Sequence, residues 1–366
     1  MWQAGKWRCW ASGLFLPLLF LTTAKWAIGA PLNPLSFGSL GASPFSLVGT
    51  YVVDTSTTPP TLTHPNASVL NGVVSPEGIA VFTFDQIQIG TGITVNAVGT
   101  RPLALLSKSS FVLDSGSFID VSGAASTNAT PAMGGPGGGL GGSGFGNGAG
   151  PGGGGGSPPA GAAGGGFGGA GGNGGGNGGG IGGATYGDLA VQLQGGSGGG
   201  SAGNGGGGGG GALEIGALTQ ATLRGTVLAM GGAAFTNFGD GGGSGGGILV
   251  HAETVNLSGV ISAQGGNGAA YNSSGGTGGG GGGGRVLIQS CTLTNIGTIE
   301  VNGGLAGTTS GAASVGTDGD PGSVSTITGI CRSQSTAIPT LSSFTLLLLM
   351  LAFSVILLSR QTTNRK

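Results

Sequence analysis

The chain has 366 residues, of which 92 are glycine and only 6% are charged, and its formal net charge is −1. Soluble proteins average about 7% glycine and about 25% charged residues, so this is not the composition of an ordinary cytosolic protein. A nucleic-acid partner is not predicted, because binding phosphates requires a clustered surplus of Lys and Arg. The apolar residues occur in short blocks between glycine runs, and the fold has to explain this spacing.

Residues 1–30 are predicted to be a signal peptide. Lys6 and Arg8 provide the positive region, and the apolar stretch at 13–21 is too short to span a bilayer. Small residues follow it, as they do at a cleavage site. The alternative is an uncleaved membrane anchor, and both interpretations predict export.

Residues 31–102 alternate in places between apolar and polar side chains, and we predict an N-terminal β cap region there. Asn71-Gly72 within it is typical of a hairpin turn. Residues 103–133 hold a looser copy of the repeat described below and are predicted to form a first rung of a stacked fold.

Residues 134–211 form a low-complexity insert of Gly with Ala, Asn, Ser and Pro. The composition favours a flexible, disordered loop. The alternative is a packed bundle of extended polyglycine strands, because the segment resembles bacterial glycine-rich surface repeats, in particular those of mycobacteria. Such repeats are Gly-Gly-X triplets, a rhythm that this chain keeps from about Gly168 to Gly183.

Residues 212–330 contain three repeat units, each of which opens after a polyglycine run and closes on a Gly-Gly pair. Within each unit, alternating apolar residues flank a central glycine, which is the pattern of two short strands joined by a bend. A single unit cannot bury its apolar side, whereas stacked copies form apolar columns. The units are 212–232, 248–266 and 286–304, with central glycines Gly225, Gly259 and Gly297.

The predicted fold class is therefore all-β, as a parallel β-helix or β-solenoid with long Gly-rich loops, followed by a C-terminal transmembrane helix. Stacking would place Ile215, Val250 and Ile288 in one buried column. A β-sandwich, which would pair the same strands antiparallel, is the alternative.

Few residues are candidates for chemistry, and we predict no catalytic, cofactor-binding or metal-binding residue. His251 occupies an outward strand position and is predicted to be solvated. Acidic clusters would be needed for a polysaccharide lyase or hydrolase, or for Ca²⁺, and the candidates are Asp114 with Asp120 and Asp318 with Asp320. A polar turn is the favoured interpretation of the second pair.

Arg285 directly follows a glycine run and opens a predicted strand, so it is interpreted as a flanking charge. Cys291 and Cys331 remain once Cys9 is removed with the signal peptide. An even pair of cysteines in an oxidising compartment predicts a disulfide, with free or lipid-linked thiols as the alternative. Residues 331–337 are predicted to be a linker.

Residues 338–366 carry the most specific motif. The apolar run 341–358 has about the minimum length of a spanning helix, and the basic residues after it favour a cytoplasmic end. This order of motif, apolar run and basic end resembles the IPTL-CTERM sorting signal of Gram-negative bacteria. The matching residues are Ile338, Pro339, Thr340, Leu341 and Ser342.

The resemblance implies export, temporary anchoring in the inner membrane by the C-terminal helix, and processing by an exosortase-like enzyme. It also implies an organism that makes extracellular polysaccharide. A plain C-terminal transmembrane anchor is the alternative interpretation of the same tail.

Taken together, these features predict an exported structural or adhesive protein of the cell surface or extracellular matrix, without a cofactor and not an enzyme. Its predicted partners are the membrane, the processing enzyme and matrix polysaccharide. A carbohydrate-active enzyme on a β-helix is the alternative. An ice-binding protein would need an outward ladder of Thr, and the outward residues Glu214, Leu249 and Leu287 do not provide one.

Overall fold

The structure is a computed structural model that describes residues 31–127, 130–158, 160–235, 238–271, 275–309, 314–329 and 331. Its regular structure is almost entirely β, with one short 3-10 helix at Pro34–Ser36. The strands are β1 (Gly49–Asp54), β2 (Thr61–Thr63), β3 (Val69–Asn71), β4 (Val73–Val74), β5 (Ala80–Phe84), β6 (Ile87–Ile89), β7 (Ile93–Val98), β8 (Leu103–Ser107), β9 (Ser110–Leu113), β10 (Phe118–Asp120), β11 (Ala212–Ala217), β12 (Gln220–Leu223), β13 (Thr226–Leu228), β14 (Gly247–Leu257), β15 (Val260–Ser262), β16 (Arg285–Asn295), β17 (Thr298–Glu300) and β18 (Ser323–Thr328).

The strands form two curled sheets that enclose one hydrophobic core. The first sheet has the order β17-β15-β13-β10-β7-β1-β2-β3. The second has the order β4-β5-β8-β11-β14-β12-β9-β6, with β16 added beside β14 and β18 beside β16. Inward side chains of both sheets share the core, among them Phe82, Val95, Ile119, Leu213 and Ile248.

Consecutive repeat units lie side by side with parallel pairing. Ile215 is paired with Val250, and Val250 with Ile288, and all three side chains are fully buried. The central glycines mark the bend from the second sheet to the first. A Cβ on Gly259 would collide with the carbonyl oxygen of Gly225, which accepts the next amide, so the bend requires glycine.

The predicted fold class is wrong in two respects, and the first concerns the membrane. No helix in the described part of the chain is long and apolar enough to cross a bilayer. The structure thus contradicts a fold with a C-terminal transmembrane helix and gives no support to a signal peptide, a sorting signal or secretion. Residues 1–30 and 338–366, on which those predictions were placed, lie outside the described residues.

The second error concerns the sheets, which are mixed rather than those of a parallel β-helix. β1 pairs antiparallel with β2, β2 with β3, and β4 with β5, at one end of each sheet. The β-sandwich alternative is also wrong, since the repeat units pair parallel.

The prediction of a hairpin turn at Asn71-Gly72 is wrong as well. This dipeptide carries the chain from β3 in the first sheet to β4 in the second, where a Cβ on Gly72 would lie 2.7 Å from the Val81 carbonyl oxygen.

The predicted Gly-rich loops are instead one ordered body, which we call the glycine bundle. Its segments run out from the strands and pack side by side, joined by backbone hydrogen bonds. The glycine bundle comprises residues 132–158, 160–186, 195–211, 229–235, 239–246, 263–270, 276–284, 301–309 and 314–322.

Within the glycine bundle, successive amides of one segment donate to three different neighbours, and the cycle repeats every three residues. Three residues per turn is the period of the polyproline II helix, which makes no internal hydrogen bonds and leaves its amides for neighbours. One segment shows two full cycles, with the pairs Gly161 to Gly175, Ala162 to Gly239, Ala163 to Gly155, Gly164 to Gly172, Gly165 to Gly242 and Gly166 to Gly152.

Close packing explains why these segments are glycine. A Cβ on Gly164 would overlap the carbonyl oxygen of Gly280, and a Cβ on Gly282 would overlap that of Gly169. The crowded axis of collagen requires glycine for the same reason. The interpretation of residues 134–211 as a flexible loop is therefore wrong, because neighbouring segments rather than water satisfy their backbone groups.

Candidate functional site

A cleft of about 500 Å³ opens on the outer face of the second sheet, at its last strands. We call it the Arg285 cleft. Outward side chains of β16 and β18 form one side, and the segment at 187–190 forms another. Its lining combines one guanidinium group, two hydroxyls, one carboxylate and several aliphatic side chains, from Gly187, Asp188, Leu189, Ala190, Arg285, Val286, Leu287, Ser323, Ser325 and Ile327.

The sheet register fixes the position of Arg285. It is the first residue of β16, paired with Ser323 on β18, and it follows directly from a segment of the glycine bundle. Side chains alternate along a strand, so Arg285 and Leu287 both face outward while Val286 enters the core. The outer face here thus presents a cation beside an apolar floor.

Four contacts hold the Arg285 side chain. Its Nε donates to the carbonyl oxygen of Tyr186 at 2.9 Å, and an Nη atom donates to Ser323 Oγ at 3.0 Å. The second Nη lies 3.4 Å from the Phe167 carbonyl oxygen, and the guanidinium stands 5.6 Å from the centroid of the Phe167 ring. A cation over an aromatic face is electrostatically stabilised, so the group is oriented before any ligand arrives.

No carboxylate in the described part of the chain forms an ion pair with Arg285. The ion pairs between described residues join Arg224 to Asp114 and His251 to Glu214, and neither includes Arg285. Asp188 shares the cleft, but its Oδ1 accepts the Ala190 amide at 2.9 Å and caps a local turn.

Tyr186 does not supply a negative charge either. Burial raises the pKa of Tyr186 to about 12, although a hydrogen bond from Ser197 and the positive charge of Arg285 both act to lower it. The phenol is therefore neutral at physiological pH, and its hydroxyl donates to the Gly195 carbonyl oxygen at 2.7 Å. The Arg285 cleft is suited to binding a small anion rather than to proton transfer.

A second group of polar residues is buried on the same outer face. Glu214 is 0% exposed, and its Oε1 lies 2.8 Å from His251 Nε2 and accepts the Leu32 amide at 2.6 Å. His251 is 6% exposed, so the prediction of a solvated histidine is wrong. Its position does face outward, but the chain from Leu32 covers that face.

The cover over the outer face also buries Leu249 and Leu287, which were predicted to face solvent. Both pack with Phe167, Leu189 and Leu193, which come from the insert between the repeat units. β5, β8, β11 and the starts of β14 and β16 are thus buried on both faces, which explains the apolar runs at 103–106, 248–250 and 286–288.

Asp240, within the glycine bundle, is also fully buried. Burial raises the pKa of its carboxyl, and hydrogen bonds from the Ala202 amide and the Ser201 hydroxyl partly offset this effect. Those two bonds reach Oδ1 at 2.7 and 3.0 Å, while Oδ2 has no partner among the described atoms.

The acidic pairs considered from the sequence do not form clusters. No three His, Cys, Asp or Glu side chains come close enough to share a metal ion in the described ranges. Each acidic residue has a local structural contact: Asp114 with Arg224 at 3.0 Å, Asp120 with the Ser122 amide at 2.9 Å, Asp318 with the Ala306 amide at 2.7 Å, and Asp320 through its own amide with the Ala170 carbonyl oxygen at 2.9 Å.

Two predicted features lie near the end of the described chain. Cys291 on β16 and Cys331 are joined by a disulfide, with their Cα atoms 4.4 Å apart. The sorting-motif residues Ile338, Pro339, Thr340, Leu341 and Ser342 lie outside the described residues.

No known protein family, curated protein or solved structure matches this chain. The Arg285 cleft was missed from the sequence because Arg285 was interpreted as a flanking charge. Its partners Phe167 and Tyr186 are more than 90 residues away in sequence. The available signal was a lone cation placed between a glycine run and the apolar run that begins at Val286.

Proposed function

We propose that this protein is a non-catalytic structural or adhesive component of the cell exterior. The observation that carries the proposal is the glycine bundle, whose segments are joined to one another on several sides by backbone hydrogen bonds. Such a body is stiff and has almost no charged side chains, which suits a spacer or a display surface.

The disulfide supports a location outside the cytosol. Disulfides persist in oxidising compartments and are rare where cellular thiols are kept reduced. The bond between Cys291 and Cys331 closes the edge of the second sheet, where β18 has β16 as its described partner. A structural cross-link at a sheet edge is of use to a protein that works where chaperones are absent.

The polar groups support a scaffold over an enzyme. The buried carboxylates Glu214 and Asp240 are engaged with backbone amides and are covered by protein. A glycoside hydrolase needs two carboxylates that flank a substrate in an accessible site. The open cleft instead presents Arg285, whose guanidinium binds anions and does not exchange protons at physiological pH.

Two measurements test the proposal. Antibody labelling of intact cells of the source organism should reach the protein without permeabilisation, with a cytosolic protein as the control. Hydrogen exchange of the purified chain should show amides of residues 160–185 protected to a degree similar to β14. Labelling only after permeabilisation, or complete exchange of the bundle within seconds, would contradict it.

A further inference from the structure

We propose that the Arg285 cleft binds a carboxylate-bearing sugar unit of an acidic polysaccharide. The proposal names a ligand class for the adhesive role proposed above and rests on it for the source of the polymer. Its basis is the juxtaposition of the Arg285 guanidinium, the Ser323 and Ser325 hydroxyls and an aliphatic floor in one open cleft.

The Arg285 guanidinium has hydrogen-bond donors left for a ligand. Arg285 is partly buried, held in place, and without a carboxylate partner among the described residues. Its three protein acceptors are the Tyr186 and Phe167 carbonyls and the Ser323 hydroxyl, all of them neutral. A guanidinium has five N–H donors in a fixed fork that matches a carboxylate, so donors remain for a ligand. The guanidinium is therefore oriented and has no ion-pair partner among the described residues, while the Asp188 carboxylate lines the same cleft.

The other residues that line the Arg285 cleft combine apolar and hydroxyl side chains. Among its aliphatic side chains Ile327 is 38% exposed, whereas Leu189 and Leu287 are buried, so Ile327 gives the accessible apolar surface. Ser323 and Ser325 add hydroxyl groups that both donate and accept. A sugar ring has apolar C–H faces and hydroxyl edges, so it matches a surface of this mixed kind. The volume of about 500 Å³ lies within the range of about 300–1,000 Å³ that is usual for ligand pockets.

The Arg285 cleft lies at the margin of the second sheet. β18 is the last strand of the second sheet along the described chain, and the cleft lies against it. A site at the margin of a sheet allows a long polymer to continue past the protein on either side. An internal sugar of a chain can therefore be bound without threading.

Charge also argues against more highly charged ligands. The cleft lining holds one cation, and its Asp188 carboxylate repels every anion, so a dianion is disfavoured more than a monoanion. Phosphate-rich ligands are recognised by clusters of Lys and Arg, and this cleft has no cluster. A monoanionic sugar such as a uronic acid is the class that fits.

Isothermal titration calorimetry on the full, disulfide-bonded chain tests the proposal, with oligogalacturonate, a neutral glucose oligomer of equal length, free galacturonate and inorganic phosphate as probes. We expect binding of oligogalacturonate that weakens with added salt, and at least tenfold weaker binding of the neutral oligomer. Free galacturonate should compete, since the carboxylated unit itself is recognised.

Variants locate the site. Arg285→Gln should weaken binding by roughly 10- to 100-fold, the cost of losing a charge-assisted contact. Arg224→Gln removes the same charge from an exposed arginine on β12's flank and should leave binding unchanged. If Arg285→Gln does not fold, Ser325→Phe fills the cleft from an exposed strand position and should abolish binding, whereas Ser325→Ala leaves the cleft open, loses one hydroxyl and should weaken binding by less than Arg285→Gln.

Equal binding of the neutral oligomer, equal competition by phosphate, or full binding by Ser325→Phe would each overturn the proposal. None of these results changes the expected antibody labelling of intact cells or the expected protection of amides in the glycine bundle. Failure of this site is therefore distinguishable from failure of the proposed function.

Discussion

The imidazole of His251 lies across Gly216 to reach Glu214, with Nε2 2.8 Å from Oε1. His251 and Gly216 are paired on adjacent strands, and any Cβ at Gly216 would collide with the ring. The glycine thus makes room for a hydrogen-bonded pair between positions that are not directly opposite. Glu214 Oε2 has no hydrogen-bond partner among the described atoms, so the pair is incompletely satisfied.

We expect Glu214→Ala to lower the free energy of unfolding by about 3–5 kcal/mol, because it leaves His251 and the Leu32 amide buried without their acceptor. Urea denaturation followed by circular dichroism measures this loss. The double variant Glu214→Leu with His251→Leu should recover about 1–3 kcal/mol of that loss, because it removes the unpaired imidazole and places a leucine at 214 in the column of Leu249 and Leu287, while the Leu32 amide stays without its acceptor. A double variant no more stable than Glu214→Ala would show that the pair is required.

In the glycine bundle, Gly164→Ala should cost about 1–3 kcal/mol or more, because the new methyl group would occupy the position of the Gly280 carbonyl oxygen. Thermal and urea unfolding measure the loss, and hydrogen exchange should show it in residues 160–185. Gly38→Ala is the matched control, since a Cβ there meets nothing within 4 Å. Equal stability of the two variants would mean that the bundle is looser than described.

Asp240 should make stability depend on pH. Burial raises the pKa of this carboxyl above its value in the unfolded chain, so the folded state holds the proton more tightly. Its contribution to stability is therefore complete below the unfolded pKa and is lost as the pH rises through the folded pKa. Asp240→Asn removes this dependence. Urea denaturation from about pH 4 to 7 measures the free energy of unfolding of this variant and of the wild type. The difference, variant minus wild type, should increase as the pH rises, and a difference that decreases would contradict the assignment.

Removal of the disulfide by Cys291→Ser with Cys331→Ser should lower the free energy of unfolding by about 2–4 kcal/mol, since the bond closes a loop across a sequence separation of 40 residues. The wild type in a reducing agent should show the same loss, while the double variant should not respond to the agent. If reduction leaves stability unchanged, the two cysteines are not paired in solution.

The pairing of the repeat units is the part of the fold that follows directly from the sequence. Leu213, Ile248 and Val286 each begin an alternating apolar pattern one or two residues after a glycine run, and the structure pairs them in register. The antiparallel strands at the other end could not be predicted, because short strands such as β4 leave too few residues for a period to be read.

For a different reason, the glycine bundle was only the alternative interpretation of residues 134–211, and the Arg285 cleft was missed. A glycine run has no side-chain pattern from which to read its neighbours, and its order depends on partners far along the chain. Phe167, Leu189 and Leu193 are isolated apolar residues whose common role emerges only when the bundle brings them over the second sheet. The unbroken apolar run Leu103–Leu106 was the available sign that this sheet has two buried faces.

The three-neighbour pattern of the glycine bundle limits how its segments can change in length. Adding or deleting one residue turns the rest of a segment by a third of a turn, so that every later amide faces the wrong neighbour. Adding a whole triplet leaves all the directions intact and lengthens the segment by roughly 9 Å. Growth of the bundle during evolution should therefore proceed in steps of three residues, while the tips between segments accept any length.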